Sequence, residues 1–346
     1  MRRTSTIVTA VAAIAAAASL MLTGCVAGEG QAAADPQSSA GVTKGGTLNI
    51  DFATYNPLSL VIKKEGWLEK ALKKQDITVN WVQSAGSNKA NEALRSGAID
   101  VGSTAGSAAL LARSNGSAIK TIDIFSQPEW SAIVVGKDST ITSVKDLKGK
   151  QVAATKGTDP YFFLLQALEA NGLSASDVTI QNLQHADGWS ALQNGSVDAW
   201  AGLDPIMANA EKSGAKLIYR NVAFNTYGFL NATESFVKDK PDVAQTVVNT
   251  YEYARAWALK HPDETASILS EVASIDPSVA TTVITERTNL DVSNIPGAAQ
   301  LKVLKKVGPI FVSTGDVRSQ SDIDKALDTL LDPTFAKKAD PSAIGG

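Results

Sequence analysis

The chain has 346 residues, of which 44% are hydrophobic and 19% charged, so it is long and apolar enough to bury sizeable cores. Its 32 Lys and Arg stand against 35 Asp and Glu, a net charge of -3, and no basic stripe marks a nucleic-acid surface. The single cysteine excludes an internal disulfide.

The N-terminal segment 1–24 has the pattern of a secretion signal. Two arginines precede an uncharged apolar stretch over 7–22, and small residues follow it. This stretch is too short and too Ala-rich for a membrane span, which needs roughly 20 strongly apolar residues. The run Leu-Thr-Gly-Cys that ends at Cys25 resembles the bacterial lipobox, which implies that Cys25 is lipidated and becomes the new N-terminus. An ordinary cleaved signal ending near a cysteine is the alternative.

The next segment, 25–44, predicts a flexible tether. It is rich in Ala, Gly, Ser and Gln and has little apolar bulk, so it cannot bury enough surface to offset the entropy of ordering. The remaining 302 residues, 45–346, reach the size at which one hydrophobic core divides into two domains.

Strand-like and helical runs alternate after the tether, which indicates βα units and a mainly parallel sheet. The sequence predicts strands over 47–53 and 78–83, and Pro57 suits the first turn of a helix between them. In the second half of the pattern, 152–155 predicts a strand and Asp159 is the expected N-cap of the helix that follows.

An internal echo suggests that the unit occurs twice. The stretch 93–100 reads ALRSGAID and the stretch 191–198 reads ALQNGSVD, with the shared pattern A-L-x-x-G-x-[IV]-D. In each copy Ala and Leu would close a helix, Gly would take the left-handed cap, and the β-branched residue would start a buried strand. Two similar lobes are therefore expected.

Two apolar segments without helical period are candidates for the links between these lobes. The first is 119–127 and the return crossing is expected within 217–229. From 234 onward the pattern changes to helices with an apolar face. They are predicted over 242–260, 262–272, 277–290, 296–314 and 322–331.

Four phrases resemble the type II periplasmic-binding-protein superfamily, and within it the branch that serves importers of aliphatic sulfonates, taurine and nitrate. They are NPLSLVIKKEGWLEK at 56–70, ALRSGAIDVGST at 93–104, SVKDLKGKQV at 143–152 and GSVDAW at 195–200. The aliphatic sulfonate binders are the most similar overall, although their loop after Ser-Thr usually resembles Gly-Asp-Ala-Pro-Pro. Here Ala-Gly-Ser-Ala stands at 105–108 instead.

The resemblance implies an α/β, two-lobed fold in which each lobe is a mainly parallel sheet flanked by helices. Lobe one would comprise 45–126 plus 228–346, with the C-terminal helices packed on it, and lobe two would comprise 127–227. A ligand would close the hinge between them. The implied partners are a small anionic solute and the permease and ATPase subunits of an ABC importer, with the protein monomeric and held to the membrane only by its lipid.

The expected ligand site is an oxyanion cradle of small polar loops that lead into helices. Ligands of parallel sheets sit beyond the carboxyl ends of the strands, where unpaired helix N–H groups donate hydrogen bonds to anions. The candidate ligand-binding residues on these loops and beside the crossings are Tyr55, Asn56, Ser84, Gly86, Ser103, Thr104, Ala105, Trp130, Thr155, Lys156, Gly157, Thr158, His185, Trp200 and Asp204.

Several of these residues have equally ordinary roles open to them. Ser, Thr and Asn before helices are common caps. Lys156 would neutralise the anion or lie exposed, and His185 would contact the ligand or serve as hydrogen-bonded structure. Trp200 is assigned to the pocket rather than the core, and Trp130 to an apolar wall against the ligand's tail.

The sequence lacks the parts of an enzyme. His185 and His261 occur in unrelated contexts, with no nucleophile elbow and no cluster of metal ligands, so neither a metal nor a cofactor is expected. The predicted function is capture of a small organic anion, most of all an aliphatic sulfonate. Taurine, nitrate and a thiamine-pyrimidine precursor are the alternative ligands, and an enzyme like the superfamily's thiamine-pyrimidine synthase is the remaining alternative.

Overall fold

A computed structural model describes residues 42–345. The predicted signal segment, the lipidation site Cys25 and most of the tether lie outside the described residues. The described chain forms ten strands: Thr47–Phe52 (β1), Thr78–Gln83 (β2), Val101–Ala105 (β3), Ile119–Ser126 (β4), Ser131–Val135 (β5), Gln151–Ala154 (β6), Thr179–Asn182 (β7), Ala199–Leu203 (β8), Lys216–Arg220 (β9) and Gly228–Thr233 (β10).

Thirteen α-helices accompany the strands within the described range. They are Pro57–Glu65 (α1), Trp67–Leu72 (α2), Ser87–Ser96 (α3), Gly106–Ser114 (α4), Asp159–Ala170 (α5), His185–Gln193 (α6), Ile206–Lys212 (α7), Glu234–Asp239 (α8), Pro241–Ala258 (α9), Pro262–Ala273 (α10), Pro277–Thr282 (α11), Ala298–Ser313 (α12) and Gln320–Thr329 (α13). Pro57, Pro241, Pro262 and Pro277 each open a helix, where a missing N–H costs nothing.

The strands form two five-stranded sheets with the same internal order. The first sheet runs β2-β1-β3-β10-β4 and the second runs β7-β6-β8-β5-β9. In each sheet four strands point the same way, and one strand, β10 or β5, runs antiparallel to both of its neighbours. The predicted fold class, two mainly parallel sheets flanked by helices, is therefore confirmed.

The echoed motif performs the same structural task in both sheets. Gly97 and Gly195 take left-handed backbone angles, with φ of 72° and 75°, and end α3 and α6. The aspartate that closes each copy then binds the neighbouring strand: Asp100 Oδ2 accepts from Asn49 N and Asp198 Oδ2 accepts from Gln151 N, both at 2.8 Å. The repeat thus joins the end of each helix to the neighbouring strand, β1 or β6.

The chain passes between the sheets twice, at 127–130 and at 221–227. Every strand of the first sheet falls within 45–126 or 228–346, and every strand of the second falls within 127–227. We call the first sheet with its helices lobe one and the second sheet with α5–α7 lobe two. The residue limits of the lobes stay a prediction.

The C-terminal helices pack on lobe one, as expected. One face of α9, with Val243, Val247 and Tyr251, is buried, and the helix packs against α1, α2 and β4. Helices α12 and α13 cover α4 with a second apolar cluster, to which Phe311 contributes. Phe311 also meets Phe162 of α5 edge-to-face, with ring centroids 4.4 Å apart, so this core continues into lobe two.

Two local expectations were wrong. The N-cap of α5 is Thr158, and Asp159 occupies the first helical position with its carboxylate engaged elsewhere. The helix expected over 277–290 ends its α-helical part at Thr282 and continues as a π-helical turn over Val283–Arg287. No helix within residues 42–345 is long and apolar enough to cross a membrane.

Substituting Gly195→Ala should reduce the free energy of unfolding by about 1–2 kcal/mol, since a β-carbon disfavours the left-handed conformation. An added β-carbon there would have open space, so strain alone sets the cost. Gly136→Ala is the matched control, because that position has equally open space and no left-handed angle. Urea denaturation of the two variants should therefore differ, and equal midpoints would contradict the assigned role of Gly195.

Candidate functional site

The N-termini of six helices meet where the two lobes face each other. They form three facing pairs, each with one helix from either lobe. In the first pair, Ser107 of α4 contacts Asp159 of α5, and in the second, Gly86 before α3 lies against His185 of α6. In the third, the start of α1 and the loop before α7 line a common cavity. Each helix begins just after a strand, so the carboxyl ends of both sheets point into the boundary.

The α4/α5 pair encloses a carboxylate of the chain itself. Asp159 accepts hydrogen bonds from Ser107 Oγ at 2.6 Å, Thr226 Oγ1 at 2.5 Å, Thr226 N at 2.9 Å and Trp130 Nε1 at 2.8 Å. Burial raises the pKa of Asp159, and these four donors oppose that rise. The carboxylate therefore joins lobe two to lobe one and to the ends of both crossing segments.

The start of α4 has its own backbone partners as well. Gly106 N donates to Tyr227 O at 3.1 Å and Ser107 N donates to Thr226 Oγ1 at 2.8 Å. The second crossing segment thus takes up the first free amides of this helix. These two amides are therefore not free to bind an external anion.

The α1/α7 pair holds a buried ion pair. Asp204, just before α7, accepts from Arg287 Nη1 at 3.2 Å and from Ala208 N at 2.9 Å. Arg287 of the π-helical turn also bonds to Glu211, and its side chain is only 4% exposed. Burial raises the pKa of Asp204 to about 7, although Arg287 favours the carboxylate.

An aromatic corner adjoins this ion pair. Tyr55 and Trp130 meet edge-to-face with ring centroids 6.1 Å apart. They line, with Asp204 and Arg287, a cavity of about 10 Å³, which is the space of roughly one water molecule. A ligand group of larger size would require the lobes to separate here.

No carboxylate is buried between α3 and α6 in the described chain, since Asp187, in the first turn of α6, is exposed to solvent. Within residues 42–345 no side chain caps either helix, whose N-cap positions are Gly86 and Gln184. The two helix ends touch through Asn88 Nδ2, which donates to Gln184 Oε1 at 3.4 Å, and through the loop at Gly157, where a β-carbon would lie 3.5 Å from Asn88 Cβ. Two uncapped positive helix ends thus face each other.

His185 stands between these helix ends in its neutral form. Burial lowers the pKa of His185 to about 4. Its Nδ1 lies 3.2 Å from Thr155 Oγ1, while Nε2 is buried without a hydrogen-bond partner in the described chain. Asn88 Oδ1, across the boundary, is in the same condition.

Ser84 and Ser103, on two loops of lobe one, donate hydrogen bonds to the buried Asp51. Ser103 donates to Asp51 through both N, at 2.9 Å, and Oγ, at 3.0 Å, and Ser84 also hydrogen-bonds to this carboxyl group. Burial raises the pKa of Asp51 to about 7, and these bonds oppose the rise. Tyr55 completes the network by donating to Ser103 O at 2.9 Å. These hydroxyl groups therefore have partners inside lobe one.

Three further predicted residues are bonded or packed inside one lobe. Thr104 Oγ1 accepts from Asn231 at 2.8 Å, inside the first sheet beside Ala105. Asn56 caps α1 and donates to Tyr251 at 3.2 Å. Trp200 packs in the core of lobe two, where its Nε1 lies against Gly188, and this packing leaves it no place at the lobe boundary.

The loop after β6, residues 155–158, contains residues that are bonded internally and residues that lie near the α3/α6 pair. Thr155 and Thr158 are buried and bonded within the loop, since Thr158 Oγ1 donates to Thr155 O at 2.6 Å. Lys156 is exposed, with its ammonium 5.7 Å from the ring centroid of Tyr161. Gly157 approaches α3 with a left-handed φ of 77°. Of this loop, Gly157 and Thr155 lie nearest to the α3/α6 boundary.

Sequence reasoning missed four residues that the structure brings to the boundary. Ser107, Asn88 and Gln184 stood in loops that were already suspected, next to residues that were chosen. Arg287 gave no local signal, because it follows a helix 83 residues after Asp204 and only the packing of α11 against α7 joins them. The described residues contain no group of three or more His, Cys, Asp and Glu that could hold a metal ion.

Comparison with known proteins identifies the family. The family model described as NMT1/THI5 like matches residues 59–265. The chain belongs to this family. A relative from Bacillus subtilis, named as an aliphatic sulfonates-binding protein, is 32% identical over 296 residues, which cover 83% of this chain and 85% of the relative. The resemblance seen in the four sequence phrases is thereby confirmed.

Solved structures agree in fold. The alkanesulfonate-binding protein SsuA of Xanthomonas axonopodis pv. citri, solved with MOPS bound, superposes with a TM-score of 0.75 at 24% identity and covers 82% of this chain and 99% of its own. The aliphatic sulphonate-binding protein SsuA of Escherichia coli superposes with a TM-score of 0.71 at 26% identity, covering 83% and 92%. Both are periplasmic binding proteins in fold, as the two sheets indicated.

Asp51→Asn should make stability less dependent on pH. The folded pKa of Asp51, about 7, lies above its ordinary 3.8, so the stability that this group contributes is complete below pH 4 and is lost as the pH rises toward 7. The wild type should lose on the order of 3 kcal/mol more than the variant between pH 4 and pH 7.5. Urea titrations at both pH values measure this difference, and parallel losses would refute it.

Asp159→Asn should destabilise the protein by about 1–3 kcal/mol, because the amide cannot accept all four hydrogen bonds and leaves buried donors unpaired. Asp263→Asn, an exposed change in the first turn of α10, is the control and should cost less than about 0.5 kcal/mol. Thermal unfolding of both variants provides the comparison. Indistinguishable midpoints would show that Asp159 does not hold the lobes together.

Proposed function

We propose that this protein is the extracytoplasmic solute-binding component of an ABC importer, and that it binds a small organic anion, most of all an aliphatic sulfonate, between its two lobes. The observation that carries the proposal is the α3/α6 pair of helix ends. Of the three pairs at the boundary, it is the one in which the described chain buries no carboxylate, because Asp187 of α6 is exposed. The names of the B. subtilis and E. coli relatives support a sulfonate as the anion.

A sulfonate suits this site because of how it carries its charge. Its three oxygens accept hydrogen bonds and remain ionised at every physiological pH, so it needs no protonated partner. The first N–H groups of a helix have no partner within the helix and add a partial positive charge of about half an elementary unit at each N-terminus. Two such ends, starting at Ser87 and His185, would hold the anion from both lobes at once.

Closure of a hinge explains how a ligand reaches groups that are now in contact. The lobes are joined covalently only at 127–130 and 221–227 within the described range. An open form would expose both helix ends, and an anion bound between them would favour the closed form by its contacts to the second lobe. Asp159 is hydrogen-bonded to Trp130 and Thr226, at the ends of the two crossing segments. It would therefore stay in place at the hinge while the lobes open and close.

The remaining parts of the proposal rest on the N-terminal sequence and the family. Lipidation at Cys25 would anchor the protein to the outer face of the cell membrane. The tether 25–44 would let the monomeric binding domain reach its permease. Taurine, nitrate or a thiamine-pyrimidine precursor is the alternative ligand. The named relatives are binding proteins, which favours binding over the synthase-like alternative.

Calorimetry of the full chain against ethanesulfonate, nitrate and a pyrimidine precursor tests the ligand class. We expect saturable binding of the sulfonate with a Kd of about micromolar or tighter, close to 8 kcal/mol of binding free energy. Saturable binding of the pyrimidine alone would overturn the sulfonate assignment.

Asn88→Asp tests the location of the anion. The new carboxylate at the start of α3 should repel ethanesulfonate and weaken its binding about tenfold or more. Ser96→Asp adds the same charge at the opposite, exposed end of α3 and should leave the Kd unchanged. If both variants bind equally well, the anion lies elsewhere in the boundary.

A further inference from the structure

An ion pair joins the two lobes beside the first crossing segment. Arg287 ends the π-helical turn after α11, and α11 packs on α10, which packs on α1 of lobe one. Its guanidinium donates from Nη1 to Asp204 Oδ1 of lobe two at 3.2 Å, and from Nη2 to Glu211 of α7. Arg287 therefore binds two carboxylates that belong to the opposite lobe.

The backbones of Arg287 and Asp204 are bound to adjacent residues of the crossing. Glu129 N donates to Arg287 O at 2.8 Å, and Asp204 N donates to Trp130 O at 3.0 Å. A change of backbone angles between Glu129 and Trp130 would therefore move the two charged residues relative to each other. The ion pair thus spans a point at which the chain passes from one lobe to the other, and a hinge motion there would stretch or break it.

Burial gives this pair more weight than an exposed ion pair nearby. Arg287 and Asp204 are each only 4% exposed, so removal of one partner leaves the other charged group in the interior. Lys212 Nζ of α7 lies 2.6 Å from Asp276, but these side chains are 46% and 48% exposed, and such surface pairs contribute little. Separation of the lobes would return an Asp204 without its cation to water. The closed form would therefore bear the cost of losing Arg287.

We propose that Arg287 is a positioning residue: with Asp204 and Glu211 it forms an interlobe latch that stabilises the closed form and so slows the release of a captured solute. The latch belongs to the α1/α7 pair, whereas the anion is assigned to the α3/α6 pair. Arg287 therefore controls release without touching the solute. The effect on release rests on the proposed function, whereas the effect on the lobes does not.

Small-angle X-ray scattering of the full chain without solute tests the latch itself. In Arg287→Met, which keeps a long side chain and removes the charge, the radius of gyration should exceed that of the wild type, because an unpaired buried carboxylate favours separation of the lobes. In the double variant Arg287→Met/Asp204→Asn the radius should return toward the wild-type value. Neither buried charge then remains, and an asparagine can still accept from Ala208 N.

Arg113→Met is the matched control. It removes the same kind of charge from an ion pair inside lobe one, where Arg113 Nη1 of α4 lies 2.7 Å from Glu234 Oε1 of α8. This substitution should leave the radius of gyration unchanged, because both partners move with the same lobe.

Stopped-flow kinetics with ethanesulfonate measures the effect on release. Arg287→Met should raise the dissociation rate constant about tenfold and change the association rate constant by less than about threefold, because truncation of a buried charge pair acts mainly on dissociation. Arg113→Met should change neither rate constant.

A radius of gyration in Arg287→Met equal to that of the wild type, or an equal increase in Arg113→Met, would overturn the latch. An absence of recovery in the double variant would overturn it as well, since the effect would then come from lost packing and not from charge. Unchanged dissociation of ethanesulfonate from Arg287→Met would overturn the control of release. If the wild type binds no sulfonate while Arg287→Met still expands, the proposed function fails and the latch stands.

Discussion

Six helix N-termini point into one boundary, and the positive potential of these ends is the constraint on which the architecture depends. Like ends that face each other at close range in a buried setting repel, so each pair needs an anion, a cap or water. The chain supplies its own anion at two pairs: Asp159 between α4 and α5, and Asp204 at the start of α7 opposite α1. At the third pair, α3 and α6, no described carboxylate is buried between the helix ends, and Asp187 in the first turn of α6 is exposed.

The distribution of these carboxylates separates structure from binding. Asp159 has four donors and Asp204 has a buried arginine, so both are satisfied without a ligand. The α3/α6 pair instead presents unbonded polar atoms, Asn88 Oδ1 and His185 Nε2, on either side of the contact. A buried polar atom without a partner is unfavourable, and a bound ligand or water molecule would complete its hydrogen bonding.

The duplicated lobe explains why the helix ends come in pairs. Strand orders β2-β1-β3-β10-β4 and β7-β6-β8-β5-β9 match position by position, so α1, α3 and α4 correspond to α5, α6 and α7. In the facing pairs, α3 meets its own counterpart, α6. By contrast, α1 meets α7, the counterpart of α4, and α4 meets α5, the counterpart of α1. The lobes therefore face each other with approximate two-fold symmetry, and the α3/α6 contact lies on its axis. An anion there receives equivalent amides from both lobes.

The sequence by itself determined the elements, the repeat and the family. Strand and helix limits follow from local period, from proline at helix starts and from glycine at helix ends, all of which act within a few residues. The predicted strand at 78–83 matches β2, and Gly97 and Gly195 take the left-handed caps that the echoed motif required. Family phrases such as those at 56–70 and 93–104 needed no structure to be recognised.

Only the tertiary structure decided which polar groups are free. Ser103 appeared suited to an anion, yet the order of β1 and β3 places it on Asp51; Trp200 lies under α6, and Asp159 reaches Ser107, 52 residues away. A local pattern cannot reveal such partners, because they depend on strand order and on how two lobes meet. The free acceptors of Asn88 and His185 emerge only when every nearer partner has been assigned to another group.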